Sequence, residues 1–141
     1  AQIGFRASNS KVVIHSSIFQ DNEWGIVLEE SSAEIQDSLV RTSQKTGVSA
    51  RKASLSVNGS TISENTRGGI LLEESYAKIQ GNNVTNNGEW EIKVREGKSE
   101  VDAKNNWWGK DAPQPAIIGP VEIQPTLDEP IDIYQRMSWD F

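Results

Sequence analysis

Gly25-Ile-Val-Leu-Glu-Glu-Ser-Ser-Ala-Glu-Ile-Gln36 and Gly69-Ile-Leu-Leu-Glu-Glu-Ser-Tyr-Ala-Lys-Ile-Gln80 are nearly one stretch written twice, 44 residues apart. Halfway between them Gly47-Val-Ser-Ala-Arg-Lys-Ala-Ser-Leu-Ser-Val-Asn58 fits the same frame, and Glu91-Ile-Lys-Val-Arg-Glu-Gly97 follows 22 residues after Gly69. A fixed period of this length means that each unit buries its apolar face against its neighbours rather than within itself. Framed from Gly4, the first unit ends at Trp24 and is one residue short, the gap falling in its final turn.

Inside each unit the apolar residues alternate: Ile26 and Leu28, Val48 and Ala50, Ile70 and Leu72, Ile92 and Val94. A period of two predicts strands with these side chains on one face. A second short strand is expected around Ile14, Ile35, Val57, Ile79 and Val101, and a third around Phe19, Val40, Ile62 and Val84. Gly, Asn, Ser, Asp and Thr separate them, residues that tolerate tight turns and left-handed backbone. Three such strands wind as one coil whose turns pair in parallel about 4.8 Å apart, without the helical crossover an ordinary parallel sheet needs. A leucine-rich repeat shares the period but needs a Leu-x-x-Leu-x-Leu strand and an apolar convex side, and neither is present.

Asn22, Ser43, Asn65 and Asn87 fall in one turn column, where stacked side chains bond along a ladder. The repeat decays after residue 97: Gly97-Lys-Ser-Glu-Val-Asp-Ala-Lys-Asn-Asn-Trp-Trp-Gly109 starts a fifth turn with Asn106-Trp107 at the third-strand centre, where indoles would cover the end of the column. Asp111-Ala-Pro-Gln-Pro115 should leave the coil, because Pro cannot sit in a central strand. Val121-Glu-Ile-Gln-Pro125 and Ile131-Asp-Ile-Tyr134 read as one further strand each.

The Gly-Ile-x-Leu strand openings, the Asn/Ser turns and Asn105-Asn-Trp-Trp-Gly109 resemble the right-handed parallel β-helix superfamily, the pectate-lyase-like fold of parallel β-helix repeats, over residues 4–109. The resemblance implies an all-β, right-handed parallel β-helix solenoid of about five 22-residue coils in residues 1–109. Residues 110–141 would form a C-terminal capping tail. Right-handedness also follows from the general preference of parallel crossovers. Nothing before Gly4 is long enough to cover the first coil, so further rungs or a partner are expected over that end.

Twenty acidic against fourteen basic residues give a net charge of −6, which argues against a nucleic-acid or anionic-membrane binder. Without cysteine there is neither a disulfide framework nor a thiolate metal site. No apolar run approaches the roughly 20 residues of a membrane span.

With Ile26 and Leu28 facing inward, Glu29, Arg51, Glu73 and Arg95 form an outward column of alternating charge. Such a column reads first as a ladder worth roughly 0.2–1 kcal/mol per pair. Its second reading is a carbohydrate site, because enzymes of the fold it resembles place theirs on this sheet. One turn along, Asn9, Glu30, Lys52, Glu74 and Glu96 mix their charges. Glu30 and Glu74 would stand about 9 to 10 Å apart, too far to share one calcium ion. No cofactor is expected, and calcium is the one ion left open. His15, the single histidine, should face outward among Gln36, Asn58, Gln80 and Asp102 with no Ser-Asp partnership, as a solvated surface residue. Trp24 and Trp90 fall in the turn before a first strand, three rungs apart, where indoles either pack under a turn or stack on sugar faces. These two and the charged column are the ligand-binding candidates; no catalytic residue is assigned.

Together these features predict a non-catalytic β-helix module of a secreted or cell-envelope protein, serving as a rigid stalk or as a glycan- or protein-binding surface. The location rests on the resemblance alone. The alternative is a C-terminal fragment of a polysaccharide lyase or glycoside hydrolase whose catalytic rungs lie upstream. The expected partner is a polysaccharide or a protein, with no nucleic acid and no membrane span.

Overall fold

The alternating segments fold as strands. β1 (Ile3–Ser8), β2 (Lys11–His15) and β3 (Ile18–Gln20) make the first coil, and β4 (Trp24–Glu29), β5 (Ser32–Gln36) and β6 (Leu39–Arg41) the second. β7 (Thr46–Arg51), β8 (Ser54–Asn58) and β9 (Thr61–Ser63) follow, then β10 (Gly68–Glu73), β11 (Tyr76–Gln80) and β12 (Asn83–Thr85). β13 (Trp90–Val94) and β14 (Glu100–Asp102) open the fifth coil. This computed structural model describes residues 2–95, 97–110 and 115–137.

Like strands stack into three parallel sheets, β1-β4-β7-β10-β13, β2-β5-β8-β11-β14 and β3-β6-β9-β12, with β15 (Ile117–Ile118) added to the first. Ile26 stands over Val48, Val48 over Ile70 and Ile70 over Ile92, so each inward side chain meets its own copy one coil away. Ile26, Leu28, Val48, Ile70, Leu72 and Ile92 are fully buried, and the apolar column runs unbroken from Ala7 to Trp108. β1, β2 and β3 are bonded along one edge only.

Turn lengths account for the departures from 22. Phe5 pairs with Ile26, an offset of 21, because three residues join β3 to β4 where four join β6 to β7. Tyr76 pairs with Glu100, an offset of 24, because the turn between β13 and β14 is longer than the two-residue corner Glu74-Ser75. That longer turn corrects the expected placement of the C-terminal tryptophans. Trp107 bridges Asn83, which puts Trp108 beneath Val84 in the core at 4% exposure, while Asn106 drops into the corner below Asn82. It also sets Asp102 opposite Lys78 rather than Gln80, whose Nε2 still reaches the Asp102 carboxylate (3.1 Å).

Tight corners bury backbone N–H groups that lie off the strand ladders, and such groups must be bonded. The side chain of the next coil supplies the acceptor. Ser43 N donates to Asn65 Oδ1 (3.0 Å), and Asn65 N and Nδ2 both donate to Asn87 Oδ1 (3.1 and 2.8 Å). The ladder then ends on a carboxylate absent from the sequence reading: Asn87 N and Nδ2 donate to Glu91 Oε1 (3.3 and 2.7 Å). Asn22 does not join it, and the Ser43 hydroxyl is left buried without a partner. A second ladder links Ser17, Ser38, Ser60, Asn82 and Asn106, and a third uses Ser10, Ser31, Ala53, Ser75 and Ser99.

The segment after residue 115 follows the fifth coil for part of another turn. Glu91 N donates to Ala116 O (2.8 Å), Ala103 N to Glu122 O (2.8 Å) and Leu127 N to Asn106 O (2.9 Å). Val121–Pro125 forms no strand of its own, only the bridge from Glu122 to Asp102, since the prolines flanking it at 120 and 125 have no N–H for a ladder. Nor does Ile131–Tyr134 form a strand. Asp132 accepts from Gln135 N (3.1 Å) and caps the short helix α1 (Ile133–Arg136), whose Ile133 packs with Met137 on Leu39. Asn83 fastens this return through Ile131 N and O (2.8 and 3.0 Å). The Pro-bearing exit at 111–114 and the last four residues lie outside the described residues.

Two substitutions test the ladder. Asn65→Ala strands the Ser43 N–H and removes the amide donor to Val40 O, while Asn87 Oδ1 keeps only the Asn65 backbone N–H, at about 1–3 kcal/mol for each buried group left unsatisfied. The urea midpoint should fall accordingly; an unchanged midpoint would show that the corner bonds add nothing. Burial raises the Glu91 carboxyl above its usual 4.5, against the opposing pull of its Asn87 bonds. A raised folded-state value means that the folded chain holds this proton more tightly, so stability is greatest below pH 4.5 and declines as pH rises through the window just above it. Glu91→Gln keeps the Oε1 acceptor and removes the charge. Its melting temperature should exceed the parent's at neutral pH and converge with it near pH 4.

Candidate functional site

Outward residues of the first sheet stand in columns set by the register. Val27, Ser49, Leu71 and Lys93 form one, and Glu29, Arg51 and Glu73 the next, which Arg95 extends through its N–H bond to Leu72 O (2.8 Å). At the turn edge Glu23, Lys45, Arg67 and Glu89 follow one another, joined by backbone bonds of 2.7 to 2.9 Å. Next to that edge, Trp24, Thr46, Gly68 and Trp90 open four strands of the sheet.

The small side chains at Thr46 and Gly68 leave a groove of about 280 Å³ between the two tryptophans. Both indoles line it, with Ser49 and Leu71 from the sheet and four cations, Lys45, Arg67, Lys93 and Arg95. Trp90 is 3% exposed, laid along the solenoid so that a side chain at Gly68 would collide with its ring. Trp24 is half-buried, and Lys45 Nζ lies 4.4 Å from its ring centroid. Both residues are the first of a strand rather than members of the preceding turn.

The charged column is in register, yet its ion pairs are not made. Glu29 turns instead to Arg6 (3.5 Å), and among the described residues Arg51, Glu73 and Arg95 have no carboxylate or cation at salt-bridge distance. Exposed pairs gain too little to hold two long side chains in one geometry. The turn edge does pair: Lys45 meets Glu23 (2.8 Å) and Arg67 meets Glu89 at 3.9 Å. Of the sequence candidates, the groove therefore gathers Trp24, Trp90 and Arg95 and leaves Glu29, Arg51 and Glu73 outside its lining. Lys45, Arg67 and Lys93 were missed. The repeat could have shown them, since Lys45 and Arg67 are 22 residues apart and Lys93 lies 22 after Leu71.

Two other places carry less. His15 does acquire neighbours that the spacing did not suggest: Ser16 Oγ at 3.1 Å from Nδ1 and Asp37 Oδ2 at 3.5 Å from Nε2. The order is the reverse of a hydrolytic triad, in which the serine bonds Nε2 and the acid Nδ1. Its imidazole is well exposed, and Asp37 is shared with Arg136 (3.4 Å). A wider furrow, about 1170 Å³, follows the first corner past Ser31, Lys52, Glu74 and Tyr76. Its serines are spent on the fold: Ser31 Oγ donates to Glu29 O (2.8 Å) and Ser75 Oγ to Glu73 O (2.9 Å). Asn9, Glu30, Lys52 and Glu74 hold the left-handed corner backbone, while Glu96 of that column lies outside the described residues. Among the described residues no three carboxylates or histidines converge on one point as metal ligands would.

A family model described as "right handed beta helix region" matches residues 2–110. No curated protein and no solved structure matches the chain.

Proposed function

The chain belongs to the right-handed β-helix family, and from that premise we propose that it is a non-catalytic module of a secreted or cell-envelope protein whose first-sheet face binds a glycan. The observation that carries the reading is the groove between Trp24 and Trp90. It crosses several coils, so a chain molecule laid along the solenoid axis meets an indole, hydroxyls and long donor side chains in turn. Trp24, only half-buried, is the aromatic available to a sugar face. Glycoside hydrolysis needs two opposed carboxyl groups, whereas the side chains lining this groove are indoles, cations, hydroxyls and one leucine. Rigidity supports the same role, because each inner coil is bonded to the coils on both sides and presents the groove without reorganisation.

Affinity electrophoresis through gels containing a panel of polysaccharides tests this reading. Trp24→Ala should abolish retention and leave the melting temperature within a degree or two of the parent. Incubation with the retained polysaccharide, with and without calcium, should release neither reducing nor unsaturated ends. Release would replace binding by turnover, and retention unaffected by Trp24→Ala would move the ligand elsewhere on the surface.

A further inference from the structure

We infer that the corner between the first and second sheets is an interface at which a second copy of this chain packs antiparallel, coil 3 of one copy facing coil 4 of the other. The charge order along that corner carries the inference. The first coil turns on the uncharged Ser8-Asn9, the second on Glu29-Glu30, the third on Arg51-Lys52 and the fourth on Glu73-Glu74, while the fifth brings Arg95 and Lys98 on either side of Glu96. Register stacks these bands: Glu29 stands over Arg51 and Arg51 over Glu73. Glu30 N bonds Arg51 O and Lys52 N bonds Glu73 O, each at 2.9 Å, which joins the corners themselves. The sign of the charge therefore reverses from coil 2 to coil 3 and again from coil 3 to coil 4. Keeping like charges off adjacent strands accounts for the column Glu29, Arg51 and Glu73. Glu30, Lys52 and Glu74 repeat the same order outside the strands, along the lip of the corner furrow. Arg51, Lys52, Glu73, Glu74 and Lys98 make no ion pair at salt-bridge distance among the described residues.

The alternation decides how the copies face each other. A two-fold axis along the solenoid would set each coil on its own copy, like charge on like. A two-fold axis across the solenoid keeps each column on its own column and reverses the coil order. Two registers then oppose unlike bands, with the axis between coils 2 and 3 or between coils 3 and 4. Tyr76 chooses the second. It is 59% exposed on the wall of the furrow, in the column Lys11, Ser32, Ser54, Tyr76 and Glu100. With the axis between coils 3 and 4 its ring enters the space over the partner's Ser54, and the partner's ring does the same in return. The other register sets Tyr76 against the long Lys11 side chain and lays the coil 4 acids on the uncharged Ser8-Asn9 corner. Around the chosen axis Arg51 meets the partner's Glu73 and Lys52 the partner's Glu74, each twice by symmetry. Covered by the partner, these pairs lose the solvent that makes exposed ion pairs worth little, and the two tyrosines supply buried anchors. Coils 2 to 5 span three coil spacings, about 14 Å, so the surface lies at the small end for protein interfaces and the dimer is a reversible one. The corner is at the far end of the first-sheet strands from Trp24, and Arg51, Lys52, Glu73 and Glu74 are outside the groove lining, so the inference stands apart from the glycan reading.

Sedimentation velocity of the full chain over a concentration series tests the inference. The parent should pass from monomer to dimer as concentration rises, and added salt should favour the monomer. Tyr76→Ser, at an exposed position, should weaken the dimer on the order of tenfold and leave the melting of the dilute monomer unchanged. Arg51→Glu/Lys52→Glu places acids on coils 2, 3 and 4, and Glu73→Lys/Glu74→Lys places cations on coils 3 and 4; each variant alone should remain monomeric. Mixed in equal amounts, the two oppose unlike bands again, and the mixture should recover the dimer, an outcome that misfolding of either variant could not produce. A parent that stays monomeric at every concentration overturns the interface. So does a dimer that both double substitutions leave intact, or a pair of variants that melt as folded chains yet fail to associate when mixed.

Discussion

The tight corners of this solenoid turn backbone N–H groups away from the strand ladders, and at most of them a side chain of the next coil supplies the acceptor. Ser38 N finds Ser60 Oγ, Ser60 N finds Asn82 Oδ1 and Asn82 N finds Asn106 Oδ1, at 2.9 to 3.1 Å. A hydrophobic column alone would tolerate sliding by two residues, since the alternation of Ile and Leu is nearly degenerate under that shift. Corner ladders do not tolerate it: a shifted coil would leave a buried donor without its acceptor, which costs more than the bond itself gains. The apolar column supplies cohesion and the ladders supply register.

The same constraint explains where the repeat is allowed to vary. One residue is lost between β3 and β4, and two are gained between β13 and β14. Both changes fall in turns between strands, and each sheet resumes its pairing beyond them. At the fifth coil the ladder has no Asn to continue it, and Glu91, from the adjacent strand, brings one oxygen to both Asn87 donors. Burial raises the Glu91 carboxyl above its ordinary range while the two Asn87 bonds pull the other way.

Sequence showed the strands because every inward residue packs on its own copy, so period two within a unit and period 22 between units describe the same contacts. It misplaced Trp107 and Trp108 because the decisive event is the longer turn after Val94, which carries no periodic signal. The alternating column Glu29, Arg51, Glu73 and Arg95 was legible as a column, being a matter of register. The ion pairs were not, because side chains that reach into water choose among several partners of similar energy, and Glu29 prefers Arg6. His15 and Asp37 escaped for a related reason. They stand 22 residues apart on adjoining coils but one position past each other, and Gly59 below them has no side chain to hold Asp37 and Arg136 apart. The groove depends on three things at once: the bulk of two indoles, the small residues between them, and cations contributed by a turn edge and a strand.

A solenoid of this kind separates cohesion from recognition more cleanly than a globular domain can. Inward positions repeat because the core demands it; outward positions of the first sheet read Val27, Ser49, Leu71, Lys93, with no pattern that packing would require. Lys45 and Arg67 are neighbours on adjacent coils, a like-charge juxtaposition that is mildly destabilising by itself. Glu23 and Glu89 bracket the two cations on the outer coils and offset part of that cost. Lys93 and Arg95 have no such bracket at salt-bridge distance among the described residues.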